Sequence, residues 1–367
     1  MTMAQPIPST RRGKLPTKNY VPQKKHQKKR RRRLLWVILA CVAVLIAIPA
    51  AVSLPYLMPG ARQEKVIRIP DGADRNMLSD TLTRYFGQTF ADKVTAIVPV
   101  DDDGHLKRTG AYLITKGMSP LRAAYRITRG AQQPVRLTIN GFRNADQMLR
   151  RIAMKTSADA KTLREILYSE DFLKGHKVTR EQALGLFIDD TYEVYYNASP
   201  EEILQKLTGQ YDDVWDSSRR KKAEALGLTP EQVMIIASIV DEESNKLDEK
   251  GKIGRLYINR FKKGMKLQAD PTVRFALGDF SIRRVLGKHT QVDSPYNTYK
   301  VEGLPPGPIR TVAVTTIDAV LDSQPSDYLY MCAKEDFSGY HNFATNYEEH
   351  QANARRYQNA LNARGIK

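Results

Sequence analysis

The sequence predicts an α+β chain: a single N-terminal transmembrane helix, a small α+β module, and a larger α+β domain built around one buried helix that ends in Glu243. Three observations point there. An apolar stretch, Leu34 to Leu54, follows a dense run of cations; short alternating segments between residues 66 and 140 are interleaved with helical spacing; and Val233–Val240 is apolar nearly all round. At 367 residues the chain is long enough to bury more than one core.

Residues 1–33 hold twelve Lys or Arg and no Asp or Glu, so most of the formal net charge of +18 is a tail. That tail runs directly into the apolar stretch at 34–54, whose length matches the roughly 20 residues needed to span a bilayer. Cations flanking a span hold that side in the cytoplasm, which keeps 1–33 inside and puts everything after Pro55 outside. A cleaved signal peptide carries a shorter apolar region of about 7–15 residues. A basic tail also binds nucleic acid without sequence preference, but direct abutment on the span makes topology the better explanation. Cys41 falls inside the span and Cys332 outside it, so they cannot pair. The exported part must therefore fold on an apolar core without an internal disulfide.

Residues 55–65, with Pro55, Pro59 and Gly60, read as a stalk. The module at 66–140 opens with a strand at Val66–Ile69, then a helix with Leu78, Leu82 and Tyr85 on one face and Gly87 at its end. Ala111–Ile114 reads as a second strand. Ser119 and Pro120 supply an N-cap and first-turn proline for a helix carrying Leu121, Ala124, Tyr125 and Ile127, and Val135–Ile139 alternates as a third strand. Asp101–Gly104 is a solvated turn. Residues 141–228 form a mainly helical connecting region, with caps expected at Asn144 and Ser199. Within it, the aromatic and acidic stretch Phe187–Tyr195 is either an ordinary buried strand or loop, or part of a binding surface.

Thr229-Pro230-Glu231-Gln232 is a capping box with proline at the first helical position, and the helix it opens ends in Asp241-Glu242-Glu243. Glu243 lies four residues after Ile239 and seven after Ile236, which sets it beside apolar side chains. Lost hydration there raises a carboxyl pKa, and the negative end of the helix dipole acts in the same direction. A carboxyl that keeps its proton near neutral pH is suited to general acid catalysis. The bland alternative is a solvated, charged helix end. A second helix through Ile253, Leu256, Tyr257, Arg260 and Phe261 should stop at Gly264, and Asp270-Pro271 reads as another N-cap with first-turn proline. Gln268, Tyr296, Asn297 and Tyr299 are side chains suited to sugars, rings for the apolar face and amides for the hydroxyls.

Taken in order, Ala237–Ser244, Ile258–Phe261, Gly264–Val273, Tyr296–Tyr299, Gly303–Ile309 and His341–Asn346 resemble the motifs of the endolytic murein transglycosylase family. The resemblance implies a LysM-like module at 66–140 and a catalytic domain at 229–367. It puts the catalytic glutamate, the second acid of an Ile-acid-x-Glu pattern, on Glu243; the first acid, usually Glu, is Asp241 here, and Glu242 stands where relatives often carry a basic residue. Sugar contacts are expected from Gln268, Asp270, Tyr296, Asn297, Tyr299, His341 and Asn346.

The implied reaction cuts peptidoglycan glycan strands between N-acetylmuramic acid and N-acetylglucosamine, leaving 1,6-anhydro ends and terminating or trimming nascent strands. A hydrolase would need a second carboxylate; Asp270 is the best candidate, and capping explains it. The implied location is the inner membrane with the catalytic domain on the periplasmic side, near peptidoglycan synthases and division proteins. No cofactor and no nucleic acid are expected. No metal is expected either, since His341 and His350 lack a third ligand. The competing reading is a membrane-anchored, non-catalytic peptidoglycan-binding or scaffold protein.

Overall fold

The computed structural model describes residues 24–282 and 284–365. Most of the basic tail, residues 1–23, lies outside the described residues. From Lys24 the chain forms one helix, α1 (Lys24–Leu57), which continues through Pro49 and Pro55. Its Lys29–Leu57 portion is long and apolar enough to cross a membrane.

The first folded unit pairs β1 (Lys65–Ile69) antiparallel with β2 (Gly110–Ile114), Ile67 opposite Tyr112. Asp74 caps α2 (Arg75–Phe86) by accepting the Met77 N–H at 2.8 Å. Gly87, at φ 88°, then turns the chain straight into α3 (Gln88–Thr95), a helix that the spacing of apolar residues did not announce. Ser119 caps α4 (Pro120–Thr128). Its buried face is Pro120, Ala123, Ala124 and Ile127, whereas Leu121 and Tyr125, expected inside, are 39% and 55% exposed. They stand about 100° round the helix from that face. Leu78, Leu82, Phe90, Val94, Tyr112 and Ile127 close a core of this unit's own.

The larger unit begins earlier than the alternation implied. β3 (Val135–Ile139), expected in the small module, pairs with β4 (Asp190–Val194), and its buried Val135, Leu137 and Ile139 belong to the larger core. Alternation shows which face of a strand is buried but not which sheet receives it. The stretch Phe187–Tyr195 therefore contains a core strand: Phe187 and Ile188 are fully buried, and Asp189 accepts the Gly141 N–H at 2.8 Å. Between these strands run α5 (Ala145–Ala153), α6 (Ala160–Leu167) and α7 (Glu170–His176). After β4 come α8 (Pro200–Val214), with a complete Ser199/Glu202 capping box, and α9 (Ser217–Ala225).

At the centre lies α10 (Pro230–Glu243), every residue from Val233 to Val240 buried. Each large apolar side chain so enclosed contributes about 1.5–3 kcal/mol, enough to fix this helix in place. Beside it runs α11 (Leu247–Lys262), which packs against α13 (Val314–Leu321) through two glycines. A methyl on Gly254 would come within 3.0 Å of Val320, and one on Gly251 within 3.1 Å of the Ala319 carbonyl, so the close approach depends on both. The short helix α12 (Asp270–Leu277) and the hairpin β5 (Tyr330–Ala333) with β6 (His341–Ala344) flank α11, and α14 (Tyr347–Ala363) closes the chain against that hairpin.

Candidate active site

The Thr229/Gln232 capping box forms in both directions: the Gln232 N–H donates to Thr229 Oγ1 at 3.3 Å, and the Thr229 N–H to Gln232 Oε1 at 2.9 Å. With its start fixed, α10 distributes the three terminal acids by helical phase, about 100° apart. Asp241 turns toward α11 and α13, where Lys250 and the Thr316 hydroxyl (2.6 Å) both donate to it. Glu242 turns the other way and takes Arg143 through Nε at 2.8 Å and Nη2 at 2.9 Å, with Arg310 Nη1 at 3.0 Å. Both carboxylates are more than nine-tenths buried and fully matched by cations.

Glu243 is different. Among the described residues no cation bonds to it; its one partner is the Tyr257 phenol, which donates to Oε1 at 2.7 Å. It faces a cleft of about 220 Å³ walled by α11, α12 and β5. Burial pushes the carboxyl above the usual carboxylate range, the Tyr257 hydrogen bond offsets part of that, and the neighbouring Asp270 carboxylate adds to the rise. His341 and Arg274 act in the opposite direction. Burial and the adjacent Glu243 also push the Tyr257 phenol well above its ordinary value, so it remains a donor. The arrangement sets a carboxyl whose neutral form burial favours at the floor of a polar cleft.

The Asp270 expectation needs correcting. Ala269, not Asp270, is the N-cap of α12, and no side chain caps this helix. Asp270 is its first residue, and its carboxylate points into the Glu243 cleft, where the Tyr299 phenol donates to it at 2.6 Å. Capping therefore does not explain Asp270. Burial and the Asp270 hydrogen bond push the Tyr299 phenol upward as well, so the cleft holds two phenol–carboxyl pairs, Tyr257 with Glu243 and Tyr299 with Asp270.

Gln268 lies on the cleft with left-handed backbone, φ 50°, and its side-chain oxygen accepts from Arg260 at 3.3 Å. His341 borders the same space. Its ring Nδ1 is 2.9 Å from Glu249 Oε2, and its N–H donates to Glu249 Oε1 at 2.7 Å. A carboxylate only accepts, which places the ring proton on Nδ1 and leaves Nε2 for the cleft. Four of the expected contacts, Gln268, Asp270, Tyr299 and His341, thus gather around Glu243.

The other three do not. Tyr296 packs on Phe275 with ring centroids 4.6 Å apart and faces a separate cleft; burial pushes its phenol up to about 12. Asn297 is fully buried and staples its own loop, donating to the Thr290 and Val292 carbonyls at 2.9 and 2.7 Å and accepting the Tyr299 N–H at 3.1 Å. Its role is to hold Tyr299 in position. Asn346 caps α14, accepting the Glu349 N–H at 2.9 Å. His350 stacks on Tyr330 at 5.3 Å, apart from the cleft.

Two cleft residues escaped sequence reasoning. Tyr257 falls at core spacing in α11, which conceals that its phenol reaches Glu243. Arg260 is 7% exposed and donates to the Leu267 carbonyl at 2.8 Å and to the Lys266 and Leu329 carbonyls, tying the irregular segment before α12 to the one entering β5. A buried arginine inside an apolar helical pattern was the available signal.

A sequence model of the YceG-like family matches residues 67–356. An endolytic murein transglycosylase of Bacillus subtilis is 29% identical over 274 residues, covering 70% of this chain and 74% of that protein. One from Streptococcus pneumoniae is 27% identical over 183 residues, 48% of this chain and 32% of the relative, so the match spans about a third of the pneumococcal protein. The crystal structure of a yceG-like protein from Listeria monocytogenes superposes with a TM-score of 0.54 at 26% identity, covering 79% of this chain and 98% of that one.

Proposed function

The chain belongs to the YceG-like family, and from that premise we propose that it is a lytic transglycosylase that cuts peptidoglycan strands between N-acetylmuramic acid and N-acetylglucosamine. The observation that carries this reading is Glu243, whose carboxyl pKa is raised by burial and which, among the described residues, hydrogen-bonds only to a phenol, in an open cleft. Glu243 protonates the leaving glycosidic oxygen. As a carboxylate it then takes the proton from the C6 hydroxyl of the muramic acid, whose oxygen attacks C1 and closes a 1,6-anhydro ring. One residue serves as acid and then base. The Asp270 carboxylate faces the positive charge that develops at C1, and Gln268 and His341 Nε2 offer hydrogen bonds to sugar hydroxyls or acetamido groups.

The α1 helix supports a membrane setting. With the cationic flank on the cytoplasmic side, the folded units lie on the face where peptidoglycan is made. Terminating or trimming nascent strands is the task suited to that position, and peptidoglycan synthases and division proteins are the partners it would meet.

A second reading, a retaining or inverting hydrolase with Asp270 as the second carboxylate, is favoured by the presence of Asp270 in the same cleft. Mass spectrometry of products from isolated peptidoglycan separates the two. Anhydro ends that persist, at reduced rate, in Asp270→Asn support the lyase; reducing ends that vanish in Asp270→Asn would establish the hydrolase.

A further inference from the structure

We infer that the cleft lined by Phe275, Tyr296 and Tyr168 is a second glycan subsite, taking one uncharged pyranose of the strand away from the bond that Glu243 cleaves. The inference rests on the glycan-cleaving reading above. This cleft, about 260 Å³, is separate from the Glu243 cleft yet shares α12 and the loop at 296–299 with it. On α12, Asp270 opens on one and Phe275 on the other, five residues and about 7–8 Å apart along the helix axis. The loop stapled by Asn297 sends Tyr299 to the first and Tyr296 to the second. The end of α10 does the same by proxy: Glu243 faces the first, and Glu242 holds Arg143, which borders the second.

The lining fits a neutral sugar better than a charged group. Arg143 is occupied by Glu242, and Asp146 is occupied by Arg164 at 3.1 Å. The remaining charges at the rim, Arg180 and Glu181, are one of each sign, so the cleft offers no net charge for an acidic peptide stem. What it offers is ring surface and donors. Phe275 and Tyr296 form a tilted aromatic pair suited to the apolar face of a pyranose. The phenols of Tyr296 and Tyr168 make no hydrogen bond among the described residues, and the Arg180 guanidinium lies 4.0 Å over the Tyr168 ring without an ion-pair partner among them. These are unspent donors set round an aromatic floor.

A site that grips the strand at a fixed distance from the acid sets where along the glycan the cut falls. It should make long strands better substrates than short ones. The full-length protein in detergent is assayed on peptide-free glycan strands of graded length, and the ratio of kcat/KM for long over short strands is compared with that of Tyr168→Phe/Tyr296→Phe, which keeps both rings and removes both hydroxyls. Loss of two sugar hydrogen bonds predicts a ratio lower by about tenfold with the thermal midpoint unchanged. In parallel, Glu243→Gln with and without the two Tyr→Phe changes is titrated with an N-acetylglucosamine-containing oligosaccharide long enough to span both clefts; the double change should weaken Kd by about the same factor. A length ratio and Kd equal to those of the parent overturn the subsite while leaving the enzyme intact. Failure of the wild-type protein to cut strands of any length would instead overturn the glycan-cleaving reading itself.

Discussion

Adjacent carboxylates at the end of α10 live in opposite surroundings. Glu242 lies between two guanidiniums; Glu243, one residue further, has no cation bonded to it among the described residues and accepts only from the hydroxyl of Tyr257. The same helix supplies both, and a rotation of about 100° decides which is which. The difference separates a carboxylate tied into ion pairs from one turned to a cleft. A charge matched by Arg143 and Arg310 fastens the helix end to the loop at 310 and to the segment before α5, whereas burial without such a match raises the carboxyl pKa of Glu243.

The comparison breaks first at Glu243. Glu243→Gln keeps the shape and the Tyr257 contact but cannot transfer a proton, so turnover should fall by about 10²–10⁴-fold in a product assay. Stability should move the other way. As pH rises past the ordinary carboxylate range, the unfolded chain gives up its Glu243 proton before the folded chain does, so this residue lowers stability progressively until the raised folded pKa is passed, and the deficit then stays constant. Denaturant titrations across that window should slope downward in the wild type and more gently in Glu243→Gln. An equal slope in both would remove the premise of a raised carboxyl.

At Glu242 the expected effect is on folding. Glu242→Ala leaves Arg143 and Arg310 facing one another, which should cost about 2–3 kcal/mol in chemical unfolding; a fully buried pair would cost more, but Arg143 is 38% exposed. Tyr257→Phe sharpens the contrast, because the hydrogen bond that partly lowers the Glu243 pKa disappears. The alkaline limb of kcat/KM, set by loss of the acid's proton, should then move to higher pH, at a stability cost of about 1 kcal/mol. The smallest effect belongs to Asn346→Ala, which removes a cap from α14 and should cost about 1 kcal/mol with kcat/KM unaltered, since the residue stands outside both clefts. A drop in kcat/KM at constant stability would restore Asn346 as a sugar contact.

Whatever a few neighbouring residues decide was legible in the chain itself. The caps at Ser119, Asn144, Ser199 and Thr229, the burial of α10, and the phase that turns Glu243 away from Asp241 and Glu242 all follow from local hydrogen bonds and helical spacing. The rest waited on the folded core. Val135–Ile139 could have closed the small unit but found its partner strand at Asp190–Val194. Asp270-Pro271 has the letters of a cap, yet Ala269 occupies that place and frees the carboxylate for the cleft. Tyr296 and Tyr299 stand three apart on one loop and serve different clefts, and Asn297 between them faces the backbone. Partner choice for a strand and the direction of a loop side chain depend on groups tens of residues distant, whose approach is set by packing of the whole core and leaves no mark on the nearest neighbours in the chain.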